Sequence, residues 1–219
     1  MFYEFARWDV SLATFMIVHN SLGLSVIDRC GGQEQKARIL PDAIALKKIL
    51  CFGLTEPTHG SDATSLLSTA KKTDGGFLIT GKKRWIGNGT FADYIIVWAR
   101  NVDEGNKIQG FIVEKGSKGL KTSKIENKYS NRSVQKYGNL IHNYRYSADI
   151  ELNDVFVAQN NRLENALDFA SGANNILKHS RLFVAWIATG CAAGAIESAI
   201  KYTLSRKQFG KEIASFQII

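Results

Sequence analysis

The sequence predicts an α+β fold in three successive parts: a helical stretch, an all-β middle and a return to helix. Three observations carry that prediction. Apolar residues recur at helical spacing over residues 9–30, namely Leu12, Phe15, Met16, His19, Leu22 and Val26. From Cys51 the texture changes to short alternating runs separated by Gly and Asn turns. From about Asn175 helical spacing resumes. The β runs follow one another without intervening helices, which points to a barrel or sandwich instead of a parallel α/β sheet. No G-x-G-x-x-G follows a strand, so a Rossmann-type site has no support. The expected boundaries are 1–50, 51–160 and 161–219.

Taken in order, the first helix is expected to close at Gly31-Gly32, a residue type that tolerates a left-handed cap. Residues 33–40 can form a short second helix that Pro41 ends, since the residue before proline is pushed out of the helical region. Residues 69–73 and 77–80 alternate across Asp74-Gly75-Gly76, a strong hairpin signal. Residues 83–86, 94–100, 110–114 and 150–157 are further strands. The Tyr- and Asn-rich segment 136–147 has no periodicity and is expected to be a surface excursion or a gene-model error.

In the last part Leu182, Phe183, Trp186, Ile187, Gly190, Ile196, Ile200 and Leu204 make one apolar face. Ala192-Ala193-Gly194-Ala195 allows close approach by a neighbouring helix. Gly210 breaks the pattern, and residues 213–219 begin another helix that stops while still apolar at Phe216, Ile218 and Ile219. At the other end Met1 runs straight into an amphipathic pattern, so the expectation is a chain truncated at both ends.

Charge and composition narrow the classes. Lys+Arg number 28 against 20 Asp+Glu, a net charge of +8 that favours anionic partners without naming one. The basic residues fall in small groups (Lys47-Lys48, Lys71-Lys72, Lys82-Lys83-Arg84) and form no stripe with interleaved aromatics, so nucleic acid is not expected. A solvated basic surface accounts for most of them. The apolar runs look too short to span a bilayer, and nothing near Met1 resembles a signal peptide. Cys30, Cys51 and Cys191 are odd in number, far apart and outside any CxxC spacing, as expected of reduced core cysteines of an intracellular protein. His19, His59, His142 and His179 show no ligand spacing, so no metal site is expected.

Four segments carry chemistry. The first is Phe52-Gly53-Leu54-Thr55-Glu56-Pro57-Thr58-His59-Gly60-Ser61-Asp62, which alone is a Pro-Gly loop capped by Thr and Asp side chains. The second is Arg84-Trp85-Ile86-Gly87-Asn88, where the indole alone is as well explained by a core. The third is Ser180-Arg181 at the opening of the long helix, although a cation disfavours a helix N-terminus. The fourth is Arg206-Lys207-Gln208-Phe209-Gly210 with Phe216-Gln217, otherwise a charged helix end with its C-terminal glycine.

In this order, across an α, β, α chain, the four segments resemble the acyl-CoA dehydrogenase and oxidase superfamily over nearly the whole sequence. The resemblance is closest to plant peroxisomal short-chain acyl-CoA oxidases and next to glutaryl-CoA dehydrogenases. It implies an acyl-CoA dehydrogenase-like fold: a partial N-terminal helical domain, a central β-barrel and the start of a C-terminal bundle. It implies FAD as cofactor, with Phe52, Leu54, Thr55, Ser61, Trp85, Ile86 and Gly87 around the flavin. Arg206, Phe209 and Gln217 would reach the FAD of a neighbouring subunit in a tetramer, a guanidinium suiting a pyrophosphate. Thr14, Ser61, Ser180 and Arg181 would lie near an acyl-CoA substrate, and phosphate groups of FAD and coenzyme A would use the positive charge.

The reaction so implied converts a short acyl-CoA to trans-2-enoyl-CoA in fatty-acid β-oxidation. Glutaryl-CoA dehydrogenases place an arginine where this chain has Ala13, so a second, unpaired carboxylate on the substrate is disfavoured. No carboxylate here matches the family's catalytic base, which is expected beyond Ile219. Where many dehydrogenases carry Thr or Ser, Gly87 is expected to leave open space beside the flavin, admitting oxygen and favouring an oxidase. A peroxisomal location is expected, with the mitochondrial matrix as alternative, and neither nucleic acid nor membrane as partner. The rival expectation is a non-catalytic fragment that binds FAD or coenzyme A weakly, or only pairs with longer subunits.

Overall fold

A computed structural model describes residues 1–127 and 147–217 of the chain. Helix α1 (Phe2–Trp8) leads into α2 (Val10–Met16), whose N-cap Asp9 accepts the Ser11 amide at 2.8 Å. A π-helical stretch, Ile17–Leu24, continues α2 into α3 (Ser25–Cys30). Gly23 lies against strand residue Leu50: a Cβ on it would stand 2.5 Å from the Leu50 Cβ. His19 makes the same junction polar and satisfied, Nδ1 accepting the Leu50 amide at 3.1 Å and Nε2 donating to the Ala43 carbonyl at 2.9 Å. Those two bonds define its neutral tautomer.

Helix α4 (Gln33–Ile44) starts with the Gln35 side chain accepting the Gly32 amide at 2.9 Å. It ends in two bonds, Lys47 to Asp42 O and Leu46 to Ala43 O, with Leu46 at φ 57°. This is the Schellman pattern, here with leucine in the place glycine usually takes.

The middle is a curled seven-stranded sheet built from β1 (Leu50–Gly53), β2 (Thr69–Thr73), β3 (Gly76–Ile86), β4 (Tyr94–Asn101), β5 (Lys107–Glu114), β6 (Leu120–Lys124) and β7 (Ala148–Ala158). Its order is β1-β4-β2-β3-β7-β6, with β5 on the other edge of β4. β1 and β2 share one edge of β4, β1 along Tyr94–Val97 and β2 at Arg100 and Asn101, both parallel. β4 is also buried on both faces, which accounts for its nearly continuous apolar sequence. Its Ile96 and Trp98 enter the core shared with the helices, while Ile95, Val97 and Ala99 enter the core inside the curled sheet.

The last helix, α5 (Asn175–Ser205), follows a π-helical stretch, Ala170–Asn174. Gly172 sits against the Trp98 ring, where a Cβ would stand 2.5 Å from it, and Ile176 is buried in the core that holds Phe52, Leu54 and Trp98. Further along, Gly190 and Gly194 lie on α1: added Cβ atoms would meet the Tyr3 and Arg7 carbonyl oxygens at 2.2 and 2.0 Å. Beyond α5, β8 (Lys207–Gln208) and β9 (Lys211–Glu212) pair across Phe209 and Gly210, at φ 52° and 78°. Two left-handed residues are what a two-residue hairpin turn demands.

Several expectations need correction. Gly31 is extended (φ −78°) and not left-handed, because Gly32 and Gln35 already start the next helix there. Pro41 does not close α4: it sits in the last turn, gives up its own backbone N–H bond there, and the helix runs on to Ile44. Residues 83–86 are not a separate strand but the end of β3, and β1 and β6 were not foreseen. The apolar residues of α5 do not form one packed face: Gly190 and Gly194 are buried, while Leu182, Trp186, Ile196, Ile200 and Leu204 are exposed. After β9 there is a single 3₁₀ turn, Ile213–Ser215, and Phe216 is extended. By length and composition alone the helical stretches Val10–Cys30 and Ala170–Ser205 are apolar enough to cross a bilayer, a match that the short uninterrupted runs did not suggest. Of the cysteines expected in the core, Cys30 and Cys51 are buried and Cys191 is exposed on α5. Residues 136–146, where an excursion was expected, lie outside the described residues.

Candidate functional site

The loop after β1 is held by β3 through consecutive backbone contacts. Lys83 is fully buried, and its ammonium donates to Glu56 Oε1 at 2.8 Å and to the Leu54 carbonyl at 3.2 Å. Glu56 is buried too, and collects the Leu67 amide at 2.6 Å, the Ser68 amide at 2.9 Å and the Ser68 hydroxyl at 2.6 Å. The neighbouring Arg84 amide donates to the Thr55 carbonyl at 2.9 Å. The Glu56 amide closes the loop on the His59 carbonyl at 3.0 Å.

This clamp exists because β3 slips against β7 between Lys83 and Ile86, an irregularity that frees the Arg84 amide from the ladder. The same irregularity places Trp85 at φ 63°, a conformation unusual for a bulky residue, with its ring half exposed. The Arg84 guanidinium lies 5.0 Å from the Trp85 ring centroid and reaches Asp149 at 3.5 Å. Strained backbone that presents an aromatic ring to solvent is a feature to connect with function.

The ionisation states follow from burial and pairing. Burial lowers Lys83 to about 8, against the pull of Glu56 in the opposite direction. Burial also works against the Glu56 carboxylate, but the Lys83 ammonium and the Ser68 and Leu67 donors outweigh it and hold the carboxyl below its ordinary range.

Each expected site residue can now be placed. Thr55 is half buried, and neither its amide nor its hydroxyl donates to a described residue. Ser61 is exposed in the same loop. Phe52 and Leu54 are buried, Phe52 with its ring 5.8 Å from that of Trp98, so their side chains belong to the core and only their backbone borders the loop. Ile86 is likewise buried inside the sheet. Gly87 does not face open space: a Cβ there would stand 2.9 Å from the Val18 Cγ2 on the π-helical stretch. The space that a side chain at Gly87 would take is filled by Val18.

Thr14 is half buried and bonds the Val10 carbonyl at 2.8 Å, beside the buried Ala13. Ser180 is buried and turns its hydroxyl to the Leu177 carbonyl at 3.1 Å. Arg181 is exposed and makes no hydrogen bond or ion pair among the described residues. Arg206, Phe209 and Gln217 are exposed, Arg206 at the other end of α5, about 39 Å along the helix axis from Ser180 at about 1.5 Å per residue, and Phe209 and Gln217 after it. Phe209, 94% exposed, tips the β8–β9 hairpin. The structure thus ties Thr55 to Arg84, the chain neighbour of Trp85, and sets the two ends of α5 apart.

Glu56 and Lys83 were the residues that motif reading passed over. A signal was present: Phe77, Ile79 and Lys83 share the inward parity of β3, whereas Lys82 and Thr80 point outward.

Comparison with known proteins gives a consistent result. Family models match in sequence order: the acyl-CoA dehydrogenase N-terminal domain at residues 1–47, the middle domain at 51–142 and the C-terminal domain at 171–219. The chain is 35% identical to the caffeyl-CoA reductase-Etf complex subunit CarC of Acetobacterium woodii, over 99% of this chain and 55% of that protein. It is 34% identical to an acyl-CoA dehydrogenase of Bacillus subtilis, over 98% of this chain and 54% of that protein. It is 29% identical to the mitochondrial isovaleryl-CoA dehydrogenase of Oryza sativa subsp. japonica, over 99% of this chain and 51% of that protein. Among solved structures, a glutaryl-CoA dehydrogenase from Mycobacterium smegmatis in complex with FADH2 superposes with a TM-score of 0.87 at 30% identity. That match covers 99% of this chain and 52% of the other. The chain spans about half the length of the relatives it matches.

Proposed function

Since this chain belongs to the acyl-CoA dehydrogenase family, we propose that it supplies a flavin-facing part of an FAD-dependent acyl-CoA oxidoreductase. The observation that carries the proposal is the clamped loop: the Thr55 amide and hydroxyl have no partner among the described residues, and the Thr55 carbonyl is tied to Arg84, the chain neighbour of the half-exposed Trp85. A flavin offers a flat apolar face and hydrogen-bond acceptors along one edge, so this donor set fits it. When bound, FAD supplies hydride acceptance from Cβ of an acyl-CoA thioester whose α proton is lost to a base, and the product is a trans-2-enoyl-CoA.

The chain's own residues bind, orient and shield. The Thr55 donors are fixed before reaction and stabilise negative charge without reorganising. Trp85 covers one side of the ring and keeps water from it. Ser61, Thr14, Ser180 and Arg181 are assigned to the acyl-CoA side, and Ala13, buried without a cation, favours a short acyl group with no second charge. Arg206, Phe209 and Gln217 are assigned to the FAD of a neighbouring copy, a role that suits an aromatic ring displayed on a rigid turn.

For the electron acceptor we favour a carrier protein over oxygen. The case for an oxidase rested on the resemblance to plant oxidases and on space at Gly87, and Val18 occupies that space. The relatives compared include one named as part of an Etf complex. For location we favour the mitochondrial matrix over the peroxisome, in line with the name of the rice relative.

The test is to purify the chain, add FAD and pass it through gel filtration. FAD retained at close to one per chain supports the reading. Protein that emerges folded and colourless contradicts it. In the whole protein, peroxide formed in equal yield with enoyl-CoA would reject the carrier-protein assignment alone.

A further inference from the structure

We propose that Lys83 is a positioning residue: by binding the Leu54 carbonyl it turns the Leu54–Thr55 peptide so that the Thr55 amide faces the flavin site. The inference rests on the flavin reading above and deepens it.

The geometry is that of a trans peptide, whose C=O and N–H point in opposite directions across one plane. Lys83 Nζ takes the Leu54 carbonyl at 3.2 Å, so the Thr55 N–H of the same peptide points away from the buried ammonium. The next peptide is fixed by a second tie, Arg84 N to Thr55 O at 2.9 Å. The ammonium cannot drift, because Glu56 Oε1 holds it at 2.8 Å and three donors from Leu67 and Ser68 hold Glu56. Glu56 is the charged group that faces Lys83. Ile150 pairs with Lys83 from β7, and Gly53 lies against its side chain from β1. Lys82 and Arg84 on its own strand turn to Glu151 and Asp149.

A buried salt bridge could serve folding alone, and the two roles separate by pH. Lys83 loses its proton at about 8, lowered by burial, whereas an unfolded lysine holds its own to about 10.4. Between those values the unfolded chain binds more protons, so this group makes folding more favourable as pH rises. A positioning role gives the opposite trend for the ligand. If only the protonated form orients Thr55, the apparent FAD affinity falls about tenfold from pH 7 to pH 9, following the competent fraction.

The experiment measures FAD dissociation constants between pH 7 and 9 for the full chain, Lys83→Arg and the double variant Lys83→Met/Glu56→Leu. Denaturant melts are recorded at each pH, and the Thr55 amide resonance is followed in the FAD-free chain. The expected result is a tenfold weakening of the unsubstituted chain without loss of stability, with the Thr55 amide shifting over the same range. Lys83→Arg should be flat in pH, and the double variant should fold yet bind FAD at least tenfold more weakly. Equal affinity of the folded double variant and the unsubstituted chain overturns the inference and leaves the flavin reading standing. A folded chain that binds no FAD at any pH overturns the flavin reading and the inference with it.

Discussion

Lys83 and Glu56 stabilise the molecule only as a pair, since each neutralises a charge that burial would otherwise make expensive. Lys83→Met alone leaves a buried carboxylate without its partner and should cost about 3–5 kcal/mol in denaturant melts. Adding Glu56→Leu should recover most of that loss; a double variant no more stable than the single would mean the carboxylate was not the source. His19 is a second buried polar group with both nitrogens engaged, and burial lowers its affinity for a proton. The unfolded chain therefore takes up this proton first, so stability is at its full value above about pH 6.5 and declines below it. The advantage of the native chain over His19→Gln should accordingly shrink between pH 7 and pH 5, and a difference independent of pH would contradict the neutral tautomer. At Gly87 the contact with Val18 predicts that Gly87→Thr overpacks the helix–sheet junction by about 1–3 kcal/mol. Val18→Ala in the same chain should relieve it, and an additive outcome in that double-mutant cycle would show that the two do not touch.

Among the elements, the α1–α5 seam shows how small residues decide where helices meet. Gly190 and Gly194 recur at one helical turn, and the Tyr3 and Arg7 backbone fills the room they leave. Arg7 pairs with Glu197 at 2.7 Å at the end of the seam. Gly194→Leu should separate α1 from α5, lowering the melting temperature and speeding hydrogen exchange in residues 2–8; unchanged exchange there would refute the packing. The run Ala192-Ala193-Gly194-Ala195 made close approach legible, because small side chains at helical spacing admit a neighbour. Which helix would approach was not legible, since α1 lies almost the whole chain away. Helix ends were the harder part. Pro41 in a last turn forfeits one bond only, and Leu46 adopts the left-handed cap without the glycine that would have announced it.

At the scale of the whole molecule, the α, β, α order and the curled sheet were legible because each texture has its own period and length. The strands that escaped show no apolar–polar alternation: β1 is buried at every position and β6 is polar after Leu120. The candidate site was half legible. Thr55 and Trp85 stood in recognisable segments, but the tie between those segments depends on the Arg84 amide at a slipped register in β3 and on a lysine that looked like one of three solvated charges in a row. Gly87 misled for a related reason, as sequence does not say which distant side chain fills a vacated space. The central claim is that the clamped loop and Trp85 together form one face of a flavin site. It is tested most directly by mapping backbone amide shifts of the isotopically labelled chain on addition of FAD. The account predicts that the largest changes cluster at residues 54–56, 61 and 85–88, and that Trp85→Ala weakens the binding that produces them. Changes confined to the lysine-bearing segment 115–124, or spread without a centre, would contradict it.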